Sequence, residues 1–115
     1  MNFDFTITKH EQYAIISLSG ELIEKSQATQ LLEKTDELVK DNFIKLAIDL
    51  QLLKYMNSSG LNTLIQLLTK ARVGGGEAVL FNMNKKINEL ILITKLHTLF
   101  KISETKEDAL KVLGL

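Results

Sequence analysis

The stretch IDLQLLKYMNSSGLNTL, Ile48 to Leu64, changes character part-way along. It begins as the end of a short apolar run, Lys45 to Leu50 (KLAIDL), of the kind an interior strand shows when both its faces are covered. Beyond Leu50 the alternation is lost, and a loop is expected. At Asn57 the period becomes helical. Asn57 is a good N-cap, and Leu61, Leu64, Ile65, Leu68 and Ala71 fall on one face of the helix that follows. A buried strand feeding a helix through a short connection is half of a β-α-β unit, so a sheet with parallel members is expected.

Working outward toward the N-terminus, Phe3, Phe5 and Ile7 alternate with Asp4, Thr6 and Thr8, the period of a half-buried strand. After the polar break His10-Glu11-Gln12, Tyr13 to Ser19 reads as a second strand closed by Gly20, and the two are expected to form a hairpin. From Ser26 a helix is expected, with Ala28, Leu31, Leu32, Thr35, Leu38 and Val39 on its inner face. Toward the C-terminus, Gly74-Gly75-Gly76 stops the Asn57 helix and leads into a buried strand, Ala78 to Phe81. Asn84 opens a helix through Ile87, Leu90, Ile91 and Thr94. A brief strand around Phe100 to Ile102 precedes a last helix with Thr105, Glu107 and Asp108 near its start and Ala109, Leu110 and Leu113 inside. The order β-β-α-β-α-β-α-β-α implies an α/β fold with a mixed sheet of four to five strands and about four helices.

The 115 residues suit one domain, 1–115. Lysine plus arginine equals aspartate plus glutamate at 14 each, so nothing favours an electrostatic partner such as duplex DNA or an anionic membrane. Cysteine is absent, which excludes disulfides, thiolate metal sites and cysteine nucleophiles. The opening Met1-Asn2-Phe3-Asp4-Phe5 lacks the basic and apolar segments of a secretory signal, and no apolar run approaches the roughly 18 residues of a membrane span. A cytoplasmic location, no cofactor and no metal are the expectations. His10 and His97 stand alone, without the spacing of a metal site. Gly74-Gly75-Gly76 ends a helix rather than opening one, so it reads as a turn and not as a phosphate loop. No nucleophile–base pair can be assembled, and Asp49 at a strand end lacks a second group to work with.

The candidate chemistry lies at Ser58 and Ser59. The first N–H groups of a helix lack intrahelical partners and the dipole is positive there, so an added phosphate at Ser59 would sit against them and water. Gly60 is expected to leave the approach to Ser59 clear. Taken without further context, Asn, Ser and Gly at a helix start are capping chemistry alone. The best guess at a contact surface is Met56, Asn57, Ser58, Ser59, Asn62 and Thr63, with Leu52, Leu53 and Tyr55 contributing wherever they are not core.

Several short motifs carry a family likeness. They are Gly20-Glu21-Leu22, Leu46-Ala47-Ile48-Asp49-Leu50, Asn57-Ser58-Ser59-Gly60-Leu61, Gly75-Gly76-Glu77-Ala78-Val79-Leu80, Thr94-Lys95-Leu96 followed by Phe100-Lys101-Ile102, and Glu107-Asp108-Ala109-Leu110. In this order and spacing they resemble the STAS domains of bacterial anti-sigma-factor antagonists, over nearly the whole chain. The resemblance implies the STAS fold and a non-enzymatic regulator of transcription working by partner switching. Unphosphorylated, such a protein binds an anti-sigma factor that is also a serine kinase. Phosphorylation of the serine before the glycine, here Ser59 with Ser58 as second choice, ends the complex, and a PP2C-type phosphatase resets it. Ile23 stands where the family pattern has the Asp of Gly-Glu-Leu-Asp, and Asn57 where it has Asp before the paired serines. The alternative is therefore a phosphorylation-independent STAS interaction subunit or scaffold, for example of a transport or stress-signalling complex.

Overall fold

The computed structural model describes residues 2–115. The strands are β1 (Phe3–Lys9), β2 (Ala14–Leu22), β3 (Lys45–Met56), β4 (Glu77–Phe81) and β5 (Lys101–Ser103). The helices are α1 (Thr29–Lys40), α2 (Ser58–Val73), α3 (Lys85–Ile93) and α4 (Lys106–Val112), with short 3-10 turns at Lys25–Ala28 and Leu96–Thr98. The sheet has five strands in the order β1-β2-β3-β4-β5. β1 and β2 are antiparallel, and every later neighbour is parallel. This is the mixed α/β arrangement that the periodicities imply.

Because the strand order is also the chain order, β2 to β5 are reached by three crossovers that all step the same way across the sheet. Right-handed crossovers then place their helices on one face. That face holds the larger core, in which Leu31 and Leu38 of α1, Leu64, Leu67 and Ala71 of α2 and Ile87 and Ile91 of α3 meet Ile16, Leu18, Leu46, Ile48, Leu50 and Leu80. The opposite face carries a smaller cluster, in which Ala109 and Leu113 bring α4 onto Ala47, Val79 and Phe81. Burial on both faces explains why KLAIDL and AVLF read as continuous apolar runs.

Two strands run further than their sequences imply. β2 continues through Gly20 to Leu22. Gly20 has φ +87, and a Cβ there would lie 2.0 Å from the carbonyl oxygen of Asn2. β3 does not give way to a loop at Leu50 but runs to Met56. Its register against β2 slips between Ser17 and Ser19 and again between Gly20 and Glu21. Each bulge adds an unmatched residue to β3, so burial passes from Leu50 over Gln51 and Leu52 to Leu53, then over Lys54 and Tyr55 to Met56. A spacing of three is neither strand-like nor amphipathic, which is why the segment imitates a loop. The last strand is Lys101–Ser103 rather than Phe100–Ile102, with Phe100 buried just before it.

Candidate functional site

β3 delivers the chain to the start of α2, where Asn57 holds three groups at once. Its side-chain oxygen accepts from the N–H groups of Ser59 (3.0 Å) and Gly60 (3.2 Å). Its amide nitrogen donates to the carbonyl oxygen of Ile23 at 2.8 Å. The first interaction is the N-cap expected from the sequence. The second ties α2 to the segment after β2, and no carboxylate donates in that way while ionised. Ile23 and Asn57, the two positions that depart from the family pattern, are thus bonded to one another.

The Ile23 segment is itself held by a residue that the sequence reading passed over. The side-chain oxygen of Gln27 accepts from the N–H groups of Ile23 and Glu24, both at 2.9 Å, and its amide donates to the Glu21 carbonyl at 3.1 Å. The one available signal was the spacing Glu24-x-x-Gln27, which resembles a capping box. Asn84 repeats the work of Asn57 at the start of α3. It accepts from Ile87 N–H at 2.8 Å and donates to the Leu53 carbonyl at 2.8 Å.

Ser59 is half-buried and Ser58 exposed. At 100° per residue, Ser59, Gln66 and Lys70 share one flank of α2. The ion pair from Lys70 to Asp36 of α1, 2.6 Å, shows that this flank faces α1. The Ser59 carbonyl accepts from the Thr63 hydroxyl at 3.2 Å, whereas its own hydroxyl has no hydrogen-bond partner among the described residues. Asn57 already takes the N–H groups of Ser59 and Gly60, and the N–H of Leu61 bonds to the Asn57 carbonyl. The row of bare donors expected around a phosphate therefore reduces to Ser58 N–H, the helix dipole and water.

Gly60 also has a different role from the one expected. It is buried, and a Cβ there would lie 2.5 Å from the Leu22 carbonyl oxygen and 2.6 Å from the Met56 Cβ. The glycine lets α2 close onto the end of β2 and does nothing to clear the approach to Ser59. The expected contact surface contracts for the same reason. Met56 (0% exposed) belongs to the larger core, and Thr63 (3%) is turned inward with its hydroxyl satisfied. Ser58 and Asn62 are exposed, and Asn57 and Ser59 partly so. Of the apolar residues before the helix, Leu53 is core, Tyr55 is half-buried under Lys86 with Nζ 5.0 Å from the ring centroid, and Leu52 is 65% exposed.

The remaining candidates have structural surroundings. Asp49 accepts from Gln51 N–H (3.0 Å) and the Asn82 amide (3.4 Å), bridging the first bulge and the end of β4. His10 stacks on Tyr13 with centroids 4.4 Å apart, and His97 is exposed in a short 3-10 turn. Among the described residues no group of three or more His, Cys, Asp or Glu could hold a metal ion, and no helix is long and apolar enough to cross a membrane.

A five-stranded mixed sheet with three crossover helices on one face, and a capped serine pair opening the helix after the central strand, defines a class of small α/β domains. The chain belongs to the STAS domain family, whose pattern matches residues 4–109. Solved structures share its fold. An anti-sigma factor antagonist from Mycobacterium paratuberculosis superposes with a TM-score of 0.83 at 23% identity, over 99% of this chain and 96% of that one. The anti-sigma factor antagonist SpoIIAA in its unphosphorylated form gives 0.80 at 19% identity, over 97% and 98%. SpoIIAA in the phosphorylated form, described as a Bacillus cell fate determinant, gives 0.71 at 18%, over 94% and 97%.

Proposed function

We propose that this STAS domain is an anti-sigma-factor antagonist that binds an anti-sigma factor with serine kinase activity and is released by phosphorylation at Ser59. The observation that carries the reading is the Ser59 hydroxyl. Ser59 is half-buried, its hydroxyl has no hydrogen-bond partner among the described residues, and it is held on the first turn of α2 by an N-cap anchored at both ends. The surface around it is small and polar, made by Ser58, Asn62 and the exposed parts of Asn57 and Ser59. A partner that closes over this surface surrounds Ser59. A phosphate there carries about −1.5 to −2 charges. Leaving such a charge buried and unpaired costs about 2–5 kcal/mol, or roughly thirty-fold to several-thousand-fold in affinity.

Incubation with a cognate serine kinase and ATP is expected to add one phosphate, lost in Ser59→Ala and removed by a PP2C-type phosphatase. Ser59→Asp is expected to weaken the partner complex, while Ser59→Ala keeps it. No phosphate under conditions that modify a known antagonist, together with equal binding by all three proteins, favours the second reading, a constitutive interaction subunit. One observation supports that reading: Asn57 and Ile23 offer no carboxylate beside the hydroxyl, and Asn57 fills two of the N–H groups that would steady a phosphate.

A further inference from the structure

The two edges of the sheet differ. β5 is three residues long, too short to template a partner strand, whereas β1 presents seven residues, Phe3–Lys9, with no proline and no register slip. The hydrogen bonds Glu21 N–H to Asn2 carbonyl and His10 N–H to Tyr13 carbonyl, both 2.8 Å, fix the parity of the β1–β2 ladder. Even-numbered residues of β1 bond to β2. The backbone groups of Phe3, Phe5, Ile7 and Lys9 therefore point out of the sheet. Side chains divide the same way. Phe3, Phe5 and Ile7 lean against the larger core, while Asp4, Thr6 and Thr8 are exposed on the other face. Beside this edge lies a groove of about 450 Å³, lined by Ile7, Lys9, Lys34, Glu37, Leu38 and Asp41.

We propose that the β1 edge is a self-association surface, on which a second copy of this chain pairs its own β1 antiparallel across a two-fold axis at Thr6. Parity restricts the register, because odd residues must meet odd residues for their free N–H and C=O groups to bond. Of the registers left, only the one centred on Thr6 overlaps all seven residues. It sets Phe5 of one copy opposite Ile7 of the other, and Phe3 opposite Lys9, as hydrogen-bonded pairs. On the far face it sets Thr6 opposite Thr6 and Asp4 opposite Thr8. Aromatic, β-branched and Thr–Thr pairs are the favourable cross-strand combinations, and no like charges are opposed. The groove carries two cations and two anions, and the chain has no net charge. That balance gives no preference for a peptide of one sign and suits a copy of itself. One group opposes the pairing: the Asp4 carboxylate accepts from the outward N–H of Phe5 at 2.8 Å and must release it.

The natural chain lacks cysteine, so a single introduced thiol reports the register. Thr6→Cys on the axis would bring two Cα atoms to about 4.5 Å, a distance a disulfide spans. Under mild oxidation Thr6→Cys is expected to form a covalent dimer about tenfold faster than Thr8→Cys, because the paired thiols share a high effective concentration. In sedimentation equilibrium the wild-type chain is expected to rise in average mass with concentration. Thr6→Lys is expected to stay monomeric with an unchanged melting temperature, and Asp4→Ala to associate at several-fold lower concentration. Equal cross-linking at positions 6 and 8, a wild-type chain that stays monomeric at all concentrations, or association insensitive to Thr6→Lys overturns the proposal. Ser59 is unaltered in every variant, so these outcomes are independent of its phosphorylation.

Discussion

Asn57 concentrates in one side chain the difference between capping a helix and placing it. As a cap it satisfies two N–H groups, and as a donor it fixes the start of α2 against Ile23. Asn57→Ala removes both functions and is expected to cost about 1–3 kcal/mol, the sum of a lost N-cap and a partly buried carbonyl left without its donor. Asn57→Asp keeps the cap and reverses the other contact, setting a carboxylate against the Ile23 carbonyl. Its expected loss is about 1 kcal/mol, the net worth of one hydrogen bond. Urea denaturation of the three proteins checks the order wild type, Asp, Ala. An aspartate variant as stable as wild type would show that the gain of a carboxylate at the helix start offsets the lost Ile23 contact. The cap was legible in the sequence because its partners lie two and three residues away. The contact to Ile23 was not, because it spans 34 residues and depends on where β2 ends.

At the scale of elements, β3 shows where periodicity misleads. Continuing the alternation of Leu46, Ile48 and Leu50 would bury Leu52, and a loop would leave the rest of the segment loosely packed. The bulge instead turns Gln51 and Leu52 out together and Leu53 in. Two leucines adjacent in sequence therefore differ in energetic weight. Leu53→Ala is expected to cost about 2–5 kcal/mol, as for other buried leucines. Leu52→Ala should fall within about 0.5 kcal/mol of wild type. Chemical denaturation of both variants decides the phase of the strand. Equal losses would show that the bulge is misplaced. The helices were easier to recognise, since α2, α3 and α4 each begin at the residue whose side chain caps them, Asn57, Asn84 and Thr105. What the sequence could not show is a bulge, which is defined by a mismatch with the neighbouring strand and not by any residue in its own.

For the molecule as a whole, the consequence of a sequential strand order is an unequal pair of cores. The three crossover helices share one face, so the other face depends on α4, a seven-residue helix held through Ala109 and Leu113. Thr105 caps it through Asp108 N–H at 3.2 Å, and Glu107 and Asp108 in its first turn complement the dipole. A helix this short is not stable alone, so its contact with Ala47, Val79 and Phe81 sustains it. The C-terminal end of α2 is tied separately. Arg72 reaches Glu77 at 3.0 Å and the Leu99 carbonyl at 2.9 Å, joining the end of α2 to the strands without involving α4. The smaller core should accordingly open before the larger one. Native-state hydrogen exchange is expected to place the amides of α4 in a class that exchanges by local opening, below the global free energy reported by β3. Leu113→Ala, expected to cost about 2–3 kcal/mol, should accelerate exchange in α4 by its full effect. If α4 instead exchanges with the slowest amides of β3, the two faces unfold as one unit, and the sheet transmits stability between them.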